Sequence, residues 1–390
     1  MTWKPTLRKH AYRQALFTSA LACTFLLCTG QSFAQANAAT EARQPSRVIT
    51  DALSKNAAAL AKQMQVEQAF VEIYSPELGP LVPCMSEKRS TLAADVKVCS
   101  DKLRNQGNAP YALLSPDAKA TVVLFHGLSD SPFFVSSIAQ HLHTQGYNVI
   151  APLTPGHGKL NADADMQDTK LQERWYEHAD KIMALAASTH EKVFVGGFST
   201  GGAFATRYTL LNPDEIDGLL LFSGALELSA SAETMSKIWG IKTLAKWLDG
   251  EYQTDGPNPY KYPKVASYSG LVLMDVIKDI REILKSPQQE FELEKPIFVA
   301  HSMADTTTLF SGIEDLLSRV RGEHAQFKID EEFDVCHADL VISATQVIEM
   351  KFDKSKVNAS ERCAVPKANP LHANMLSVLS YFLEQHSLNH

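Results

Sequence analysis

A short apolar run that leads straight into Gly-Phe-Ser-Thr-Gly constrains the fold of this chain more than any other feature. The run is Lys192–Gly196, the pentapeptide is Gly197–Gly201, and the helix-compatible stretch Ala203–Tyr208 comes after it. A strand, a sharp turn and a helix with serine at the turn form a nucleophile elbow. In an elbow, strained backbone exposes the serine hydroxyl, and small neighbours let strand and helix approach closely. The pattern predicts Ser199 as a nucleophile.

Short apolar runs alternate with helix-compatible segments from about residue 119 onward. Strands are predicted at 121–125, 147–152, 192–196, 218–222, 296–300 and within 325–333, and helices at 132–143, 171–188 and 371–384. Continuous apolar strands that alternate with helices are typical of a mostly parallel sheet covered on both faces. The sequence therefore predicts an α/β fold whose core domain covers residues 116–390.

The long stretch between the strands at 218–222 and 296–300 contains no further strand of this pattern. It is rich in aromatic residues, namely Trp239, Trp247, Tyr252, Tyr260, Tyr262 and Tyr268. An ordinary linker is one interpretation of it. We favour a mostly helical cap over about 225–292, which would shape an apolar pocket above the elbow.

A serine nucleophile needs a base within hydrogen-bond reach and a carboxylate that orients the base. On a fold of this kind the partners follow the serine in the order acid, then histidine. Asp305 is the predicted acid because it comes just after the strand at 296–300, whose carboxyl end faces the elbow. The weaker candidates fall on helix-like segments: Asp275, Glu314 and Asp315.

The predicted base is His337, which follows the last strand. His372 is its rival, but it falls in or at the start of the final helix. The other histidines considered are predicted to be structural, because they precede the serine, a strand or the acid: His126, His324 and His301.

Negative charge that develops on a substrate oxygen needs preorganised donors. The backbone N–H of Thr200, directly after the nucleophile, is one predicted donor. The second is the N–H of Leu128, in the loop after the first clear strand, where Gly127 lets the backbone turn close to a substrate.

The N-terminus has the pattern of a signal peptide, which we place at residues 1–36. Lys4, Arg8, Lys9 and Arg13 precede an apolar run from Ala15 to Cys28, and small-residue cleavage sites follow. The apolar run is too short to span a bilayer comfortably, so no stable membrane span is expected. An exported protein, periplasmic or secreted, is predicted. A lipoprotein anchored at Cys23 is the alternative.

Residues 37–115 are predicted to form an N-terminal extension that packs on the main domain. Four cysteines remain after signal-peptide removal, an even set that indicates disulfides in an exported protein. Proximity favours Cys84–Cys99 and Cys336–Cys363, although two other pairings are open, and four buried thiols are the alternative. No pair shows the close spacing typical of a zinc site.

Three motifs together carry a resemblance to a known family. They are His126–Pro132, Pro155–Gly158 and Gly197–Gly202, and with them residues 115–390 resemble the α/β-hydrolase superfamily. The branch is that of the carboxylesterases and monoacylglycerol lipases, also called serine aminopeptidase-like hydrolases. The resemblance implies a Ser–Asp–His triad and a helical cap, which match Ser199, Asp305, His337 and the 225–292 insertion.

The expected activity is hydrolysis of carboxylic esters through an acyl-enzyme, on a small acyl-ester or lipid-like substrate. A peptidase or acyltransferase would use the same triad, and a non-catalytic binding protein on this fold is a further alternative. The formal net charge of −7 leaves no basic footprint for nucleic acid. No metal or organic cofactor is implied, and the oligomeric state stays open.

Overall fold

The computed structural model describes residues 44–82, 84, 96–230, 241–285 and 293–387. The chain divides into Met1–Thr50 and Asp51–His390. The described part of the first unit is the beginning of a helix, and everything below concerns the second unit. The predicted signal peptide, with Cys23, lies outside the described residues, as does Trp239, while for Trp247 the backbone alone is described.

An eight-stranded sheet forms the centre of the second unit. The strands of the unit are β1 (Leu81–Val82), β2 (Val96–Lys97), β3 (Cys99–Ser100), β4 (Tyr111–Leu113), β5 (Thr121–Phe125), β6 (Asn148–Ala151), β7 (Val193–Phe198), β8 (Gly218–Phe222), β9 (Ile297–Ser302) and β10 (His324–Ile329). The order in the sheet is β10-β9-β8-β7-β5-β6-β4-β2, and β1 pairs with β3 in a separate two-stranded ribbon. The strands from β10 to β6 pair in parallel, whereas β4 and β2 are antiparallel. The prediction of a mostly parallel sheet is confirmed.

Helices cover both faces of this sheet. They are α1 (Gln44–Leu78), α2 (Ser136–Thr144), α3 (Asp163–Met166), α4 (Leu171–Thr189), α5 (Thr200–Leu211), α6 (Ile241–Asp249), α7 (Ser267–Lys285), α8 (Phe310–Leu317), α9 (Ala344–Glu349) and α10 (His372–Ser387). Successive side chains of a strand point to opposite faces of the sheet. In β5, Val123 and Phe125 join a core with α4, α5 and α7, whereas Val122 and Leu124 join a second core with α2 and α10.

The N-terminal extension supplies part of the sheet. Strand β4 pairs with β6, and β2 pairs with β4, so residues on both sides of position 115 share one set of backbone hydrogen bonds. The extension therefore adds two antiparallel strands at one edge, besides packing α1 against the first core through Phe70 and Tyr74.

The insertion between β8 and β9 contains α6 and α7 within its described residues. Helix α7 is buried along one side, where Leu271 and Met274 face the same cavity as Ser199. The insertion thus supplies part of the wall of the cavity that contains Ser199.

Candidate active site

Ser199 lies at the turn between β7 and α5 and has the backbone angles of a strained residue. Its φ is 53° and its ψ is −115°, a combination that a residue with a Cβ atom rarely adopts. A Cβ atom on Gly201 would lie 2.2 Å from the carbonyl oxygen of Phe125, and one on Gly197 would lie 2.5 Å from the backbone of Gly201. The small residues of the motif therefore allow β7, β5 and α5 to approach closely around the serine.

The structure brings the three predicted triad side chains together. His337 Nε2 lies 2.9 Å from Ser199 Oγ, and His337 Nδ1 lies 2.6 Å from Asp305 Oδ2. Asp305 follows β9 and His337 follows β10, so the carboxyl ends of two neighbouring parallel strands deliver both residues to the elbow. In this geometry, one imidazole nitrogen can donate to the carboxylate while the other accepts the serine proton.

The Asp305 carboxylate is held by backbone and side-chain donors. Oδ1 accepts hydrogen bonds from the N–H groups of Thr307 and Thr308, and Oδ2 accepts one from the Thr308 hydroxyl at 2.9 Å. Burial alone would raise the pKa of Asp305, but the neighbouring His337 and the Thr307 N–H outweigh burial and hold that pKa well below its usual range. The carboxylate is therefore ionised at neutral pH.

The rival histidines lie elsewhere. His372 Nε2 is 3.0 Å from Ser137 Oγ, at the first residue of α10. His126 bonds the Gly127 carbonyl oxygen through Nδ1 and accepts from Thr154 N–H through Nε2. The His301 ring packs against the Phe310 ring in a tilted arrangement, with 5.2 Å between the ring centres, and burial lowers the pKa of His301 to about 4.

The weaker acid candidates are engaged in ion pairs on helices. Asp275 pairs with Lys242, Asp315 with Arg319, and Glu314 with Lys328.

The two predicted oxyanion donors line the cavity that contains Ser199. These residues are Leu128 and Thr200. Thr200 is the first residue of α5, where a helix N–H has no intrahelical acceptor. Both residues therefore border the same cavity as the Ser199 hydroxyl.

A cavity of about 1150 Å³ opens beside Ser199 and His337. Its apolar lining residues include Leu228, Val265, Leu271 and Met274, and its polar lining residues include Asn258, Lys356, Asn358 and Arg362. Asp339, two residues after the histidine, also lines it, and burial raises the pKa of Asp339 to about 6. The cavity can hold a substrate with an apolar part and a polar part at once.

The cysteines form the two disulfides that proximity favours. Cys84 is bonded to Cys99 with a Cα–Cα distance of 5.3 Å, and Cys336 to Cys363 with 5.8 Å. The second bridge joins Cys336, which directly precedes His337, to Cys363 in the segment 343–371. The first bridge lies in the extension.

Three contacts of the site were missed by sequence reasoning. Thr308 supports the acid, Arg362 donates to the Ala304 carbonyl oxygen at 2.9 Å, and Lys261 pairs with Asp130 beside the loop of Leu128. Local support for the acid had a signal in the sequence, because an aspartate side chain often accepts from backbone N–H groups a few residues on, as Asp305 does from Thr307 and Thr308. The other two depend on contacts between residues far apart in the chain.

Across the described ranges, no three His, Cys, Asp or Glu side chains gather as potential metal ligands. None of the helices described there is both long and apolar enough to cross a bilayer.

Comparison with known proteins places this architecture among hydrolases. The family described as serine aminopeptidase, S33 matches residues 116–334, more than half of the chain. The thermostable monoacylglycerol lipase of Bacillus sp. (strain H-257) is 27% identical over 128 residues, which are 33% of this chain and 48% of that protein. The chain thus matches about half the length of that relative.

Two solved structures share the fold. One was reported for the metagenome-derived lipolytic enzymes LipS and LipT, with 18% identity and a TM-score of 0.50 over 62% of this chain and 94% of that one. The other is a soluble variant of monoglyceride lipase from Saccharomyces cerevisiae, with 13% identity and a TM-score of 0.50 over 79% of this chain and 100% of that one. From the family match and the shared fold together, the chain belongs to the serine aminopeptidase S33 family of α/β hydrolases.

Proposed function

We propose that this chain is an exported serine hydrolase that cleaves carboxylic esters through an acyl-enzyme. The observation that carries the proposal is the position of His337, within 2.9 Å of Ser199 Oγ and 2.6 Å of Asp305 Oδ2. A serine on a strained elbow, a base in contact with it and an ionised carboxylate behind the base are the parts that acyl transfer needs.

The reaction would proceed in two halves. His337 Nε2 takes the proton of Ser199 Oγ as that oxygen attacks the substrate carbonyl carbon, and the N–H groups of Leu128 and Thr200 stabilise the oxyanion. The same proton passes from Nε2 to the leaving alcohol, which leaves an acyl group on Ser199. Water then gives a proton to Nε2 and attacks the acyl carbon, and the proton returns to Ser199 Oγ as the carboxylic acid departs.

The cavity supports an uncharged acyl group as the substrate's apolar part. The apolar residues Leu228, Val265, Leu271 and Met274 line the same cavity as the serine. The relative from Bacillus is named a monoacylglycerol lipase. A monoacylglycerol consists of an acyl chain and a polar alcohol. A cavity lined by both apolar and polar residues suits such a molecule.

Export is supported by the two disulfides, because such bonds persist in oxidising compartments. The N-terminal sequence pattern gives the route, a signal peptide over residues 1–36 that would be removed from the mature protein.

The test is hydrolysis of p-nitrophenyl esters from short to long acyl chains, with Ser199→Ala beside the wild type. We expect the variant to lose at least about 10⁴-fold in kcat while it keeps its fold, since the nucleophile is gone. Ser311→Ala, which changes an exposed serine on α8, is the matched control and should keep full activity. A fluorophosphonate probe should label the wild type at Ser199, as read by peptide mass spectrometry.

Turnover retained in Ser199→Ala would place the nucleophile elsewhere. Cleavage of aminoacyl p-nitroanilides without cleavage of esters would make the chain a peptidase, the activity in the family's description. A wild-type protein that neither turns over esters or anilides nor reacts with the probe would be a binding protein on this fold.

A further inference from the structure

The turn formed by residues 127–130 is strained and carries one predicted oxyanion donor. Asp130 N–H donates to the Gly127 carbonyl oxygen at 3.2 Å, which closes the turn around Leu128 and Ser129. Ser129 has a φ of 65°, in the left-handed region that usually requires glycine at this position of a turn. Strained backbone of this kind persists only when its surroundings hold it in place.

Part of that support comes from residues 258–263 of the cap insertion, which we call the strap. The N–H of Tyr262 donates to the Ser129 carbonyl oxygen at 2.8 Å, directly at the strained residue. The ammonium group of Lys261 donates to Asp130 Oδ1 at 2.6 Å. The strap therefore forms hydrogen bonds with two consecutive residues of the turn, Ser129 and Asp130.

The ion pair acts on the turn because of where the Asp130 side chain lies. That side chain is 1% exposed, whereas the Lys261 side chain is 31% exposed. A Cβ atom on Gly127 would lie 2.5 Å from Asp130 Oδ2, so the carboxylate is folded back against the Gly127 backbone. A buried carboxylate keeps such a place only while a cation compensates its charge.

The strap is itself fastened by the N-terminal extension. Arg104 donates to the carbonyl oxygens of Lys261 and Asn258, at 2.9 and 3.2 Å. The side-chain amides of Asn105 and Asn108 both donate to the Pro259 carbonyl oxygen, at 2.6 and 3.1 Å.

A stacked ring pair fastens the strap from the other side. The Tyr260 ring lies 3.8 Å from that of Phe133, which follows the turn. The extension, the strap and the turn are thus linked in one continuous set of contacts.

We propose that Lys261 is a positioning residue for the proposed ester hydrolysis. Through Asp130 it holds the 127–130 turn so that the N–H of Leu128 faces the substrate oxygen, and the 104–108 loop of the extension holds the strap that carries it. Without the cation, the Asp130 carboxylate turns toward water, the turn relaxes, and the donor moves away from the place where charge develops. The inference rests on the proposed function.

The experiment compares Lys261→Met with Lys261→Arg and with Lys264→Met, an exposed lysine of the same segment. We expect Lys261→Met to lower kcat for a p-nitrophenyl ester about 10- to 100-fold with KM changed less than about twofold, as for a donor displaced by about 1 Å. The rate of fluorophosphonate labelling at Ser199 should fall in parallel, because phosphonylation uses the same donors. Lys261→Arg should recover most of the rate, and Lys264→Met should match the wild type.

A double-mutant cycle with Asp130→Asn tests whether Lys261 acts through Asp130, and it adds a second comparison in case one variant is poorly folded. In the Asp130→Asn background the Lys261→Met change should lower kcat less than about twofold further, since its partner is already neutral. Thermal unfolding and circular dichroism identify variants that have lost their fold. A Lys261→Met variant with the wild-type kcat and labelling rate would contradict the role of Lys261 but not the proposed function. A variant in which only KM changes would do the same. A wild type without turnover and without labelling contradicts the proposed function, and this inference with it.

Discussion

At the scale of single residues, the site depends on one serine held in a conformation that its neighbours enforce. The Ser199 carbonyl oxygen accepts from the N–H groups of Gly202, Ala203 and Ala225, and its own N–H donates to the Phe222 carbonyl oxygen. These bonds fix both peptide groups of a residue with positive φ. The backbone of Ser199 is therefore already in the conformation that places its hydroxyl within hydrogen-bond distance of His337.

The two candidate bases, His337 and His372, are expected to differ sharply on substitution. His337→Ala should lower kcat about 10⁴- to 10⁶-fold, because Ser199 loses its base, while His372→Ala should change kcat less than about threefold. His372 contacts Ser137 and is a buried residue at the start of α10, so its loss should appear as a lower unfolding temperature. Steady-state kinetics on one ester with both variants makes the comparison. Loss of activity in the His372 variant alone would reverse the assignment of the base.

At the scale of elements, the segment 343–371 connects the loops that carry the acid and the base. Arg362 donates to the Ala304 carbonyl oxygen, next to Asp305, and Cys363 is bonded to Cys336, next to His337. The N–H of Lys367 also donates to Asp339 Oδ1 at 3.0 Å. This segment therefore holds the two loops together in addition to the direct contact between His337 and Asp305.

Removal of the Cys336–Cys363 disulfide is expected to affect both stability and turnover. The double variant Cys336→Ala/Cys363→Ala should lose about 3 kcal/mol of unfolding free energy in the chain-entropy view, and kcat should fall because Arg362 and the histidine loop move more freely. Cys84→Ala/Cys99→Ala is the matched control: its stability loss should be similar, with kcat unchanged, since that bridge lies in the extension. Chemical denaturation and ester kinetics give the two quantities. Equal kcat in both double variants would show that the bridge near the histidine does not position it.

The proximity of Ser199, Asp305 and His337 could be predicted from the sequence because all three follow strands in a fixed order. Ser199 comes after β7, Asp305 after β9 and His337 after β10, and parallel strands bring their carboxyl ends to one edge. Lys261 could not be predicted in the same way. Its partner Asp130 is 131 positions away in the chain, and local periodicity carries no information about such a contact. The two edge strands of the extension were missed because two or three residues are too few to show alternation.

At the scale of the whole molecule, the extension is bound to the hydrolase domain by a partly buried charge network. Glu77, near the end of α1, pairs with Lys159 at 2.8 Å and with Arg174 at 2.6 Å, and it accepts from Gly156 N–H at 3.0 Å. Gly156 precedes His157, whose ring packs 5.0 Å from that of His126 beside the 127–130 turn. The extension therefore supports the active-site edge from this side as well as through the strap.

This network should make the folded state sensitive to acid in a defined pH window. Burial alone would raise the pKa of Glu77, but Lys159 and Arg174 outweigh burial and lower it to about 2, from an ordinary value of 4.5. A depressed pKa contributes stability that is present above the unfolded value and is lost as the pH falls toward the folded one. Glu77→Gln should therefore destabilise the protein by on the order of 3 kcal/mol at pH 7, and this difference from the wild type should shrink between about pH 4.5 and 2.

Urea unfolding of the wild type and Glu77→Gln at several pH values measures that difference directly. Glu67→Gln, an exposed change on the same helix, is the control and should follow the wild type throughout. Because Glu77 also holds Gly156, ester turnover of Glu77→Gln at pH 7 reports whether the network supports the active site or the fold alone. A stability difference that stays constant from pH 7 to pH 3 would mean that the carboxylate charge is not what binds α1 to the domain, and that packing of Phe70 and Tyr74 does so instead.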